Sequence, residues 1–116
     1  HVVLDLAYEP LRLSGRSSFG AQVCERAWQL WTPNKALGLT GVRAAYAIAP
    51  VDAMDAVSAL DALAASWPIG AHGVALLKTW PTPPVQHWLS DSLRTLRDWK
   101  ALQIELCQSL GWTVLP

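Results

Sequence analysis

The sequence predicts a layered α/β fold: a mainly parallel sheet with flanking helices, followed by a long helix that leads into a second, smaller unit. Three observations carry this. An unbroken apolar run over residues 1–4 stops at the carboxylate of Asp5, the pattern of a strand buried on both faces of a parallel sheet. Residues 19–27 and 28–32 then read as a short helix and a second strand, the βα repeat of a layered α/β domain. Near the other end, Val85, Leu89, Leu93, Leu96, Trp99, Leu102, Leu106 and Leu110 form a continuous stripe at helical spacing.

The elements follow in order. Glu9-Pro10 breaks the first run, and residues 11–20 form a loop rich in Ser, Gly and Arg. The first helix takes Ser17 or Ser18 as its cap and sets Phe19, Val23 and Ala27 on one face. Trp28 to Thr32 is the next strand, ended by Pro33, and residues 42–49 form a further apolar run stopped by Pro50. Pro50-Val51-Asp52 opens a helix carrying Met54, Val57, Leu60, Leu63 and Ala64, with Ala-rich composition in its favour. A second helix occupies residues 71–80, and Pro81 to Pro84 is the clearest linker in the chain. The long helix spans residues 85–110, with Gly111 as C-cap, and residues 112–115 read as a strand that continues elsewhere. Both ends of the chain read as cut, so a piece of a longer protein is expected.

Composition narrows the function. Nine basic and nine acidic residues cancel, and no basic run is present, which argues against nucleic acid and against an anionic membrane surface. No apolar stretch reaches the roughly 18 residues that span a bilayer, and no signal peptide is visible. Cys24 and Cys107 lack metal-type spacing and read as free thiols of a reducing compartment, so a soluble cytoplasmic domain is expected. Seven tryptophans are more than a chain of 116 residues easily buries; some are expected to face a partner chain or another part of the protein. His72 and His87 read as helix-surface residues, with no second His or Cys at ligand spacing, so no metal site is expected.

The chemistry centres on one loop. Lysines stand only at positions 35, 78 and 100. Lys35 alone lies in a Gly/Pro/Asn loop between two strand-like runs, the place where open α/β sheets put their ligand chemistry. Taken alone, it reads as a solvated turn lysine. It is accompanied by Asp5 and Tyr8 just past the first strand, by Thr32 and Asn34 before it, and by Arg43 after it. Arg12 and Arg16, in the loop after Tyr8, read as surface arginines.

The segments Val3-Leu-Asp5-Leu-Ala-Tyr8 and Thr32-Pro-Asn34-Lys35-Ala-Leu-Gly38-Leu-Thr-Gly41-Val-Arg43-Ala-Ala-Tyr46 resemble two motifs of the fold-type I pyridoxal-phosphate enzymes. The likeness is to the class I/II aminotransferases, in their histidinol-phosphate aminotransferase branch, with the threonine-phosphate decarboxylases as neighbours. It implies that residues 1–80 are part of the cofactor-binding large domain, and that residues 81–116 are the long helix and the start of the small C-terminal domain. It also implies a homodimer and a small amino substrate, an amino acid or amino-phosphate.

Within that resemblance Asp5 would keep the pyridine nitrogen protonated, which makes the ring an electron sink. Tyr8 would hydrogen-bond the ring oxygen. Lys35 would hold pyridoxal 5'-phosphate as a Schiff base and, once displaced, act as general base on the substrate α-carbon. Arg43, with Thr32, would bind the phosphate, and Asn34 is a further cofactor-binding candidate; a planar guanidinium meets phosphate oxygens in pairs, so Arg43→Lys is not a neutral change. Gly38 and Gly41 would let backbone pass close to the ligand. The chain departs from the family pattern at Leu6 (commonly Glu), at Asn34 (commonly Ser, so one phosphate contact is altered) and at Ala45 (commonly Gly). The glycine/serine phosphate turn, the ring-stacking aromatic and an Asn on the ring oxygen are expected upstream of this chain. The arginine that clamps the substrate carboxylate is expected downstream. Two alternatives share the same residues: decarboxylation, if the substrate carboxylate stands perpendicular to the ring, and a non-catalytic α/β scaffold or interaction domain.

Overall fold

A computed structural model describes residues 2–115. In chain order it has β1 (Val3–Asp5), α1 (Ala21–Arg26), β2 (Trp28–Trp31), β3 (Tyr46–Ile48), α2 (Met54–Leu63), α3 (Ala71–Thr79) and α4 (Pro83–Ser109). The start of the first strand at His1 and the stop at Pro116 lie outside the described residues.

The sheet has three strands in the order β1-β2-β3. β1 and β2 are parallel, with Val3 opposite Trp28 and Asp5 opposite Leu30. β3 runs antiparallel to β2, with Gln29 opposite Ile48 and Trp31 opposite Tyr46. The sheet is therefore mixed rather than mainly parallel. The reason lies in the connections. A parallel pair needs a crossover, which α1 supplies between β1 and β2; the segment from Thr32 to Ala45 contains no helix, so the chain turns back and pairs antiparallel.

Burial corrects a second expectation. Leu4, Leu6 and Ala27 form the core cluster, with Cys24 of α1 and Trp31 packed on it. Val3 and Leu30, which the register places on one face, stay 56% and 43% exposed, while Leu4 and Trp31 on the other face are buried and half-buried, so the β1–β2 pair is covered on one face and open on the other. α1 is shorter than its sequence pattern. Ser17 Oγ accepts the Phe19 N–H at 3.3 Å, which makes a local turn, and the N-cap is Gly20 with no side-chain bond. Phe19 falls outside the helix and Val23 is exposed; of the helix only half-buried Cys24 packs on the core, and Ala27, just past its end, is buried.

Pro50 to Ala53 is a turn, closed by Ala53 N–H to Pro50 O at 3.2 Å and held to α1 by Val51 N–H on Glu25 O at 3.0 Å. α2 begins only at Met54, and Met54, Leu60 and Leu63 of its apolar stripe are exposed. α4 starts inside the proline cluster, because proline lacks the N–H that the first helical turn leaves unpaired and already has a helical φ. The linker is thus only Trp80 to Thr82.

At its other end α4 closes in a Schellman motif. Gly111 takes φ +78°, its N–H reaches Gln108 O at 2.9 Å, and Trp112 N–H reaches Cys107 O at 3.0 Å. Beyond it, residues 112–115 form no strand; a strand needs a paired neighbour, and none of β1–β3 takes that place.

The stripe of α4 divides in two. Val85, Leu89, Leu93 and Leu96 are buried or half-buried, and Arg97 Nε donates to Leu13 O at 2.7 Å where the helix leaves the body. Past that point Trp99, Leu102, Leu106 and Leu110 are exposed. With Trp67, Trp88 and Trp112, Trp99 makes four of the seven tryptophans exposed. The free thiols Cys24 and Cys107 are unpaired, and no helix of the described residues is long and apolar enough to cross a membrane.

Candidate functional site

The parallel pairing of β1 with β2 sets the site. Asp5 ends β1 and Thr32 follows the end of β2, so both lie at the carboxyl edge of the same strand pair, where open α/β sheets bind ligands. Leu6 N–H on Leu30 O at 2.9 Å extends the pairing past Asp5, and Glu9 N–H on Leu6 O at 3.1 Å turns the chain so that Tyr8 leaves the sheet edge. Asp5 Oδ1 accepts the Ala7 N–H at 3.0 Å, which orients an exposed carboxylate. Tyr8 begins a short 3₁₀ turn, Glu9–Leu11.

That turn is held by charge. Arg12 Nε and Nη2 meet the two Glu9 carboxylate oxygens at 2.9 and 2.6 Å. The hydrogen bond from Arg12 holds the Glu9 carboxyl below its usual range, and the same bond raises Arg12. Arg12 is thereby engaged at the surface beside Tyr8.

The lysine loop is braced from within. Pro33 is fully buried, and Leu37 N–H on Pro33 O and Leu39 N–H on Asn34 O, both at 3.0 Å, wrap the chain around Lys35. Gly38 has φ +64°, a conformation that costs glycine nothing and other residues about 1 kcal/mol or more. Gly41 has no such φ, and a Cβ there would meet nothing within 4 Å, so the protein's own atoms do not require glycine at that position. Thr32 and Asn34 point inward to the loop: the Thr32 hydroxyl lies 2.6 Å from Ala44 O and 2.5 Å from Asn34 Oδ1. With a single proton, it donates to one of them at a time.

The candidate residues line two adjoining depressions. Thr32, Asn34, Lys35 and Arg43 share a cavity of ≈ 600 Å³ whose far wall is Pro68, Ile69 and Leu77, from α3 and the turn before it. Asp5 and Tyr8 line a neighbouring hollow of ≈ 420 Å³. Lys35 of the first approaches Tyr8 of the second, with its Nζ 5.6 Å from the centroid of the Tyr8 ring. A cavity of similar size, lined by Val2, Gln22 and Arg26 among others, contains none of these residues.

All six sequence-derived candidates thus gather at one edge of the sheet. The far wall and Gly73 were not singled out from the sequence. A Cβ on Gly73 would come within 2.6 Å of Ile69 Cγ1 and 3.0 Å of Arg43 O, so a glycine in α3 lets that helix approach the backbone of Arg43. A glycine inside a helical pattern was the available signal, since it costs about 1 kcal/mol against alanine unless packing requires it.

The donor set fits pyridoxal phosphate. Lys35 and Arg43 line one cavity, and neither has a carboxylate partner among the described residues; two uncompensated cations suit a phosphate-bearing aldehyde. An exposed carboxylate and a phenol stand beside them, the groups that a pyridinium nitrogen and a ring oxygen require. Comparison of the chain with protein-family models, with curated proteins and with solved structures finds no match.

Proposed function

We propose that the protein is a pyridoxal-phosphate enzyme of the aminotransferase type, acting on an amino acid or amino-phosphate, with Lys35 as the covalent anchor. One observation carries the reading. Lys35 and Arg43 line the same cavity, and the Lys35 ammonium also reaches the ring of Tyr8 beside Asp5. A carbonyl-reactive amine, a phosphate-binding guanidinium, a phenol and a carboxylate are the four groups this chemistry uses.

When bound, the cofactor supplies the electron sink for charge that develops on the substrate α-carbon. The chain's own residues do the rest. The Asp5 carboxylate would hold the proton on the pyridine nitrogen. The Tyr8 hydroxyl would donate to the ring oxygen. Arg43 would bind the phosphate oxygens, in a cavity that Ile69 and Leu77 also line. The Lys35 amine would anchor the cofactor's aldehyde group and, when free, would hold the proton taken from the substrate α-carbon.

Borohydride reduction in the presence of pyridoxal phosphate, followed by peptide mapping, tests this. The label is expected on Lys35. A label confined to Lys78 or Lys100, or none at all, sinks the assignment.

A second reading rests on a different observation, the exposed Trp99, Leu102, Leu106 and Leu110 along the outer half of α4. This apolar face supports association with a second copy of the chain. Sedimentation that stays monomeric over a wide concentration range counts against it.

A further inference from the structure

We infer that Asn34 is a positioning residue that sets the separation of Lys35 from Arg43, and that it does not itself bind the cofactor. The inference rests on the reading of Lys35 as the reactive amine. The half-buried Asn34 side chain has two donors and two acceptor lone pairs; both donors and one lone pair are engaged inside its own loop, and the other lone pair shares the Thr32 proton with Ala44 O. Its Oδ1 accepts the Ala44 N–H at 3.3 Å and faces the Thr32 hydroxyl at 2.5 Å. Its Nδ2 donates to Leu39 O at 2.9 Å and to Val42 O.

The positions of these partners give the bonds their meaning. Asn34 is the residue before Lys35, while Val42 and Ala44 are the two neighbours of Arg43. One side chain therefore grips the backbone on both sides of the guanidinium while its own backbone carries on directly into the amine. The loop between them has no regular structure from Thr32 to Ala45, so nothing else of comparable reach fixes that spacing except the Thr32 hydroxyl on Ala44 O. A serine at position 34 has one donor and a shorter reach, and cannot span both limbs. With both amide donors spent on Leu39 O and Val42 O, Asn34 has none left for phosphate oxygens, and Arg43 is left as the main phosphate contact of this loop.

Asn34→Asp keeps the shape and replaces two donors by acceptors that face Leu39 O and Val42 O. Asn34→Ser is the milder second variant. Two measurements read the result: reductive labelling of Lys35 by pyridoxal phosphate against pyridoxal, and hydrogen exchange of the Ala44 and Leu39 amides in the free protein. The wild type is expected to prefer the phosphorylated aldehyde and to protect the Ala44 amide. Asn34→Asp is expected to lose about tenfold of that preference and to speed Ala44 exchange by about tenfold or more, with Asn34→Ser between the two.

Retention of both the preference and the protection in the two variants overturns the inference. So does free exchange of the Ala44 amide in the wild type, which requires no variant to fold. Absence of any label on Lys35 in the wild type counts against the proposed function instead, and the amide exchange then still decides the role of Asn34.

Discussion

The ammonium of Lys35 sits 5.6 Å from the centroid of the Tyr8 ring, and this contact ties the lysine loop to the turn after β1. It joins two segments that are 27 positions apart (35 − 8) and that meet only because β1 and β2 pair in parallel. A cation at that distance over an exposed ring is worth about 0.5–1 kcal/mol, enough to bias where the amine points without locking it.

Tyr8 has two separable roles on this reading. Tyr8→Phe keeps the ring face and removes the hydroxyl, so selective labelling of Lys35 over Lys78 and Lys100 is expected to persist while turnover falls. Tyr8→Ala removes both, and the selectivity is expected to fall about two- to fivefold, the factor that corresponds to the cation–π energy. Mass-spectrometric quantification of the three lysines reads both variants. Equal selectivity in Tyr8→Ala and wild type would show that the ring does not orient the amine.

Gly73 is expected to resist enlargement. Alanine gains about 1 kcal/mol in a helix interior over glycine, but its Cβ would lie 2.6 and 2.8 Å from two Ile69 carbons and 3.0 Å from the Arg43 carbonyl oxygen. Ile69 can yield by rotating, whereas the backbone oxygen moves only if the loop moves. Overpacking of this kind costs about 1–3 kcal/mol, so Gly73→Ala is expected to be destabilised by up to about 2 kcal/mol net. Urea denaturation measures it, and a raised midpoint would contradict the packing argument.

Glu9 and Arg12 confer a pH dependence of known sign. The Arg12 hydrogen bond lowers the Glu9 carboxyl in the folded protein. A depressed folded value means that the pair's contribution is complete above the unfolded carboxylate range and disappears as pH falls through the folded value. Glu9→Gln is therefore expected to be slightly less stable than wild type at neutral pH and indistinguishable from it in strong acid. The difference is small because the pair is exposed to solvent and screened. Thermal melts across the acid range read it; a gap that widens toward low pH would reverse the sign.

Much of this architecture was legible locally. The apolar stripe of α4 and its stop at Gly111 are written within a few residues of where they act, since helix capping and periodicity are short-range effects, whereas its start at Pro83 falls two residues before the expected one. The ends of β1 and β2 were legible for a related reason, since the strands formed where the apolar runs stood; Asp5, Tyr8, Thr32, Asn34, Lys35 and Arg43 were picked out by the resemblance of two segments near those ends to known motifs.

The cap of α1 was misread for want of one hydrogen bond. Ser17 fits either a helix cap or a turn, and the Phe19 N–H selected the turn.

The sequence by itself therefore determined the helices, the strand ends and the residue types at the site, because those depend on neighbours along the chain. Only the tertiary structure decided the antiparallel direction of β3, the bare face of the sheet and the division of α4 into a covered and an exposed half. It also decided that Asn34 spends its hydrogen bonds on the backbone around Arg43, and that Gly73 stands against that same backbone. These depend on which distant segments come to rest against each other, a choice made by the sum of many weak contacts rather than by any local pattern.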